Sequence, residues 1–302
     1  MNRLIVGCGY LGRRVAKRWT AQGDRVYAVT RNASNATEFA AEGWQPLVAD
    51  ITQAESIAQA LASLPPLDTV LFAVGYDRGS GRSIHEVYVA GLDKTLIALA
   101  PHLNTLRSLV YISSTGVYGQ TDGTWVTEDD RCSPTREGGV ACLEAERLLA
   151  EEPWRTKTIV LRCAGLYGPG RIPQREPLLA GQPLNVPSAG YLNLIHVDDA
   201  AQIAVLAADK LPPPQLLNVS DGHPVARADY YATLARLLNA PPPRFVSSEP
   251  AGVAPTGPAA RAAAADKRVS NSRLCERLSI PWLYPDHVAG LAHCLAATSA
   301  KD

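Results

Sequence analysis

Near the amino terminus, Gly7-Cys8-Gly9-Tyr10-Leu11-Gly12 repeats the spacing GxGxxG. That spacing suits a diphosphate. The first glycine permits a tight turn, the second lets an anion approach the backbone, and the third lets the next helix pack closely on the strand before it. A helix starting there points its unpaired N–H groups and partial positive charge at the anion. The motif follows the apolar run Arg3–Val6 and opens the amphipathic stretch Tyr10–Gln22, closed by Gly23, so it stands in the strand–turn–helix setting that gives it meaning. The alternative is a glycine-rich turn without a ligand. A second strand, Arg25–Thr30, leads into Arg31-Asn32. An NAD site usually carries a carboxylate there for the ribose 2′-hydroxyl. None is present, and Arg31 instead offers a guanidinium suited to a 2′-phosphate, so NADP is expected in preference to NAD. The alternative is a solvated strand-end arginine. Asp50, closing the third strand, either accepts the adenine amino group or caps the helix beginning near Gln53.

The elements that must position these residues alternate in the βαβ manner of a parallel sheet. Further strands are expected at Gln45–Ala49, Thr69–Val74, Ser108–Ile112, Thr158–Arg162 and Leu216–Val219. Helices are expected at Ala36–Glu42, Gln53–Leu64, Ser83–Ala100, Leu143–Glu151, Asp198–Ala208 and Arg227–Leu238. The fold class is therefore α/β, a Rossmann doubly wound parallel sheet, with a smaller irregular carboxyl-terminal lobe for a substrate. Residues 1–167, with 190–222 returning, form the dinucleotide-binding domain; 168–189 and 223–302 form the lobe. The stretch Pro250–Ala265, nearly all Ala, Pro and Gly, reads as a mobile loop.

Composition narrows the class of partner. The 29 basic and 29 acidic residues balance, which gives no electrostatic reason to expect nucleic acid or an anionic membrane. No apolar run is long enough for a bilayer span, and the amino terminus lacks a signal-peptide layout. The six cysteines form neither a CxxC pair nor a metal-ligand spacing, so free thiols in the cytoplasm are expected and no metal is.

Four more segments join the glycine motif: Leu109-Val110-Tyr111-Ile112-Ser113-Ser114-Thr115-Gly116-Val117-Tyr118-Gly119, the run Leu161–Arg171 with Ala164-Gly165-Leu166-Tyr167-Gly168-Pro169-Gly170, His196-Val197-Asp198-Asp199, and Asn218–Gly222. Together they make the chain resemble the extended short-chain dehydrogenase/reductases, the NAD-dependent epimerase/dehydratase-like family, and within it the atypical YeeZ-like members. The resemblance implies that Ser114, four residues before Tyr118, polarises a substrate carbonyl or hydroxyl. It implies that a small-molecule substrate, phosphorylated or nucleotide-linked, also meets Tyr118, Arg171 and Arg268; for the two arginines the alternative is a solvated surface position. The dinucleotide would be lined by Gly7, Gly9, Tyr10, Leu11, Gly12, Arg31, Asn32, Asp50 and Ile51. Ala73, Val74, Ser113, Cys142 and Gly165 would complete that lining. Two chains would pair through the helices near Ser83–Ala100 and Gly138–Glu151.

The family also uses a YxxxK pair, in which the tyrosine is the acid/base and the lysine lowers its pKa. The accompanying K-L-x-x-E signature reads Cys142-Leu143-Glu144-Ala145-Glu146 here, placing Cys142 in the lysine slot and Gly138 in the tyrosine slot. A phenol with a pKa of about 10 needs a neighbouring cation to act as a base, and a thiol supplies none. Glu137 is either a partly desolvated base or a solvated helix-start glutamate. Tyr118, Tyr167 and Tyr76 either touch the chemistry or pack the sheet edge, and Cys142 is either inert or a reactive thiol. Thr115 and Gly116 stand where dehydratases of the family carry an Asp-Glu pair, which disfavours elimination. His196 with Asp198 and Asp199 reads as a helix start with an aspartate N-cap. Two functions stay open: an NADP-dependent oxidoreductase or epimerase-like enzyme lacking the usual pair, and a catalytically silent dinucleotide sensor.

Overall fold

The computed structural model describes residues 1–245 and 266–299. The loop expected at 250–265 lies outside them. The chain divides into two compact units, one of Met1–Ser114, Glu137–Arg162 and Ala200–Leu217, the other of Thr115–Arg136, Cys163–Asp199 and the chain from Asn218 onward. The chain thus leaves the first unit at Ser114 and rejoins it twice, at Glu137 and at Ala200.

The strands β1 (Asn2–Val6), β2 (Arg25–Thr30), β3 (Gln45–Val48), β4 (Thr69–Phe72), β5 (Ser108–Ser114), β6 (Thr158–Cys163) and β7 (Gln215–Val219) form one sheet in the order β3-β2-β1-β4-β5-β6-β7. Strand β1 runs parallel to both β2 and β4, and β2–β3 and β4–β5 are parallel as well. The strand order reverses at β1, and the carboxyl end of such a switch point is where open α/β sheets bind ligands. Leu4, Ile5 and Val6 are wholly buried, as expected of an apolar run in a sheet covered on both faces. This is a Rossmann-type α/β fold.

Helices α1 (Gly12–Ala21), α2 (Ala33–Ala41), α3 (Ala54–Ala62), α4 (Gly91–Leu99), α5 (Glu137–Leu149) and α6 (Val197–Lys210) accompany the sheet. Helix α1 buries Val15, Ala16 and Trp19 as one stripe. At the amino end of the sheet Arg3 donates to Asp24, Thr69 and Asp209 and lies over the Trp19 ring, which makes a buried cation tolerable. The helix expected over Ser83–Ala100 is interrupted. Ser83 and Glu86 exchange hydrogen bonds as a capping box, a π-helical turn covers Glu86–Ala90, and α4 begins only at Gly91. A Cβ at Gly91 would sit 2.8 Å from Ile51 Cδ1, so α4 packs closely there.

The second unit is built from short ladders. Gly165–Tyr167 pairs in parallel with Leu194–His196, Tyr191–Leu192 antiparallel with Val225–Ala226, and Trp125–Val126 in parallel with Arg268–Val269. Its core gathers Tyr167, Leu184, Leu194, Tyr230, Leu234 and Leu291, with helices Arg227–Leu238 and His287–Ser299 contributing.

Candidate dinucleotide site and active site

The glycine turn between β1 and α1 is a cradle that side chains would fill. Gly7 has φ +92°, and a Cβ there would lie 2.6 Å from the Ala73 carbonyl and from Val74 Cα. Two constraints, backbone angle and close approach to the chain leaving β4, therefore demand glycine. A Cβ on Gly12 would lie 2.6 Å from Gly7 O, which is the close helix–strand packing expected of the third glycine. Gly9 differs, since a Cβ there meets nothing within 4 Å. Its face opens away from the protein, and Leu11 at the N-cap of α1 gives no side-chain cap. An open glycine at an uncapped helix start fits a diphosphate. Tyr10 flanks it, its ring under the Arg14 guanidinium.

At the adenosine end, Arg31 is 46% exposed and touches only loosely, at 3.7 Å, the 62% exposed Asp77. Asn32 is committed to α2, whose N-cap it forms by accepting Ser34 N–H at 2.9 Å. Asp50 caps no helix with its side chain. Its Oδ1 accepts the Thr52 N–H and hydroxyl, and its Oδ2 takes the Arg82 guanidinium at 2.7 Å. Burial pushes the Asp50 carboxyl up, but the Thr52 bonds and the Arg82 and Arg31 cations outweigh it and leave it below the usual range. Arg82 had no signal in the sequence that could have found it. Tyr76 is occupied locally, its hydroxyl on Arg82 O and its N–H on the Tyr88 hydroxyl.

At the end of β5, Ser113 Oγ donates to Glu146 Oε1 at 2.6 Å, and Arg162 grips Glu146 through Nε and a terminal nitrogen. Arg162 was missed, although a charge inside the apolar strand Thr158–Cys163 was a signal that it had a buried partner. Cys142 is 5% exposed and lies against Tyr111 and Ser113. Burial and the Glu146 charge push its thiol up to about 11, so it is a neutral thiol and the reactive-thiol reading fails. Glu137 is exposed in the first turn of α5, so the desolvation that a base role required is absent. The residues of α5 include neither tyrosine nor lysine. A Cβ on Gly138 would meet Ile84 Cδ1 at 3.4 Å.

In the second unit Tyr118 is buried and its hydroxyl donates to Asn218 Oδ1, a bond that a substrate would have to displace. Tyr167 is buried edge-on against His196, as packing predicts. Gly165 is exposed in its ladder, and Arg171 is exposed beside the Gly168–Arg171 bridge. Arg268 lies between the Trp125 and Tyr191 rings, and its Nε donates to Gly123 O. The aspartate N-cap expected for α6 is corrected: His196 Nδ1 accepts the Asp198 N–H, while Asp199 reaches the Leu283 and Tyr284 N–H groups. His196, Asp198 and His293 bring ligand atoms within 4.8 Å of one another. The lone pair of His196 Nδ1 is already used by that N–H, which argues against a metal on that nitrogen. A cavity of about 530 Å³ is lined by Tyr191, His223, Val225, Asp229, Asp286 and His287, among others.

Residues 4–220 match the family described as the NAD dependent epimerase/dehydratase family. Protein YeeZ of Escherichia coli K12 is 28% identical over 289 residues, covering 93% of this chain and 96% of YeeZ. A 4-hydroxy-2-methyl-3-oxo-4-farnesyl-3,4-dihydroquinoline-1-oxide ketoreductase of Stigmatella aurantiaca is 26% identical over 76% of this chain and 70% of its own. The structure of a functionally unknown conserved protein from Silicibacter pomeroyi matches with a TM-score of 0.77 at 28% identity, covering 98% of each chain. No helix among the described residues is long and apolar enough to cross a membrane.

Proposed function

The chain belongs to the NAD-dependent epimerase/dehydratase family, and from that premise we propose that it is an NADP-dependent reductase of a small molecule, working without a tyrosine–lysine pair. The observation that carries this reading is Arg31, 46% exposed at a strand end without a carboxylate, with Asp77 at a loose 3.7 Å as its ion pair among the described residues. Such a pair is worth at most about 1 kcal/mol, so a 2′-phosphate readily takes its place. Gly7, Gly9 and Gly12 would hold the diphosphate, and a remaining Asp50 lone pair the adenine amino group. The bound coenzyme supplies the hydride. Ser114 positions the substrate oxygen, and with Gly138 and Cys142 in the two slots the proton comes from water. Reduction rather than elimination also agrees with Thr115-Gly116 in place of an acidic pair. The substrate class is a small carbonyl or imine compound carrying a phosphate or nucleotide.

Fluorescence titration with NADPH and NADH tests the reading. Arg31→Ala is expected to weaken NADPH at least tenfold, the order of a lost charge-assisted contact, with NADH nearly unchanged. Equal losses contradict the assignment. The second reading, a silent dinucleotide sensor, is favoured by the neutral Cys142 thiol and by Ser113 being turned onto Glu146. NADPH consumption with a panel of carbonyl compounds separates the two. A homodimer through α4 and α5 is what the family resemblance suggests, and it would cover Ile97, 68% exposed, and Val140, 39% exposed, one on each helix. A cytoplasmic location accords with six free cysteines, four of them buried.

A further inference from the structure

Lys267 lies just ahead of the short strand Arg268–Val269, and Asn193 clamps it there, donating to Lys267 O and accepting from Val269 N. Side chains alternate along a strand. Lys267 and Val269 are accordingly buried, while Arg268 lies between the Trp125 and Tyr191 rings. The arginine that the sequence singled out for an anion is thus engaged, and its neighbour is the unusual cation.

Lys267 is 6% exposed, and its Nζ donates to Tyr118 O at 2.9 Å. The surroundings are fixed: the Tyr118 hydroxyl donates to Asn218, whose N–H donates to buried Glu128. An ammonium carries three N–H donors. Among the described residues Lys267 has this one acceptor and no carboxylate in ion-pair range. A second cation, Arg136, is close enough to be felt. Burial first and then Arg136 push the Lys267 ammonium down to about 8, which leaves it mostly charged at neutral pH. A buried charge with unmet donors is costly unless an opposite charge arrives. A strut for one carbonyl would need no charge.

We propose that Lys267 is the centre of an oxyanion subsite in the second unit, one that takes a phosphate or carboxylate group of a bound small molecule. The subsite goes beyond the coenzyme reading and does not depend on it.

Calorimetric titration with inorganic phosphate at constant ionic strength, without coenzyme, tests the subsite. Wild type is expected to bind, Lys267→Arg to bind within about threefold, and Lys267→Met to lose at least tenfold, the order of a hydrogen bond to a charged group. Repeating the titration with acetate assigns the subsite to phosphate or carboxylate according to which anion is lost with Lys267→Met. Phosphate held at the glycine turn would survive Lys267→Met unchanged, and that result overturns the proposal. Binding of neither anion to wild type overturns it as well. Should Lys267→Met not fold, the side-chain resonance of Lys267 in isotope-labelled wild type, assigned by its loss in Lys267→Arg, must move on adding the anion. A resonance that stays put overturns the proposal.

Discussion

Gly7 and Gly9 share a residue type for different reasons. Gly7 is demanded by a φ of +92° and by the chain leaving β4, whereas a Cβ at Gly9 would meet nothing within 4 Å, so its own fold does not require glycine there. Burial has an equally concrete effect on the thiols. It pushes Cys8 and Cys163 up to about 12, and with the Glu146 charge it pushes Cys142 up to about 11. Iodoacetamide at pH 8 is therefore expected to modify exposed Cys275 first, with Cys8, Cys142, Cys163 and Cys294 reacting only on unfolding, as peptide mass spectrometry would show. Cys142 reacting as fast as Cys275 contradicts its assignment as an inert thiol. The glycine turn could be read from the sequence because its meaning is local. The Ser113–Glu146–Arg162 network could not, because its members lie 33 and 16 positions apart and meet only through the sheet.

Elements with a clear pattern came out as the sequence predicts: strand Arg25–Thr30 and helix Arg227–Leu238 have the expected bounds. Helix α5 starts six residues before the expected Leu143 because Glu137-Gly138-Gly139 reads poorly as helix, and tertiary packing overrides that weak propensity. Asp199, in the first turn of α6 as the sequence predicts, also pins the segment ahead of helix His287–Ser299 through two backbone N–H groups. Asp199→Ala strands both amides and is expected to cost about 2–4 kcal/mol in urea unfolding. A loss below about 1 kcal/mol would show that the pin carries little. On the exposed face of α4, Ile97→Asp is expected to convert the proposed homodimer to a monomer by light scattering. A dimer that survives the charge removes α4 from the interface.

At the scale of the whole molecule, the sequence suggests two lobes, and in the structure the chain leaves the first compact unit at Ser114 and returns at Glu137 and Ala200. Such crossings are set by tertiary contacts and leave no compositional trace. Stability should carry one pH signature. Burial pushes the Asp221 carboxyl up to about 7, and its buried Oδ2 has no hydrogen-bond partner among the described residues. A carboxyl raised on folding favours the protonated native state, so its contribution is lost as pH climbs from the unfolded value of 3.8 through about 7. Asp221→Asn keeps the Oδ1 that accepts His223 N–H and should remove that decline, leaving the variant more stable than wild type at pH 8 by a few kcal/mol, on the order of the shift. An unchanged difference between pH 4 and pH 8 contradicts the assignment. The central claim is that the backbone around Gly9 receives a dinucleotide diphosphate. Its most direct test is calorimetric titration of NADPH into wild type and Gly9→Val, with melting temperatures alongside. The expected result is binding to wild type, at least tenfold weaker binding to Gly9→Val, and melting temperatures within about 2 °C, as for a substitution into open space. Equal heats from the two proteins, or no heat from wild type, contradict the claim.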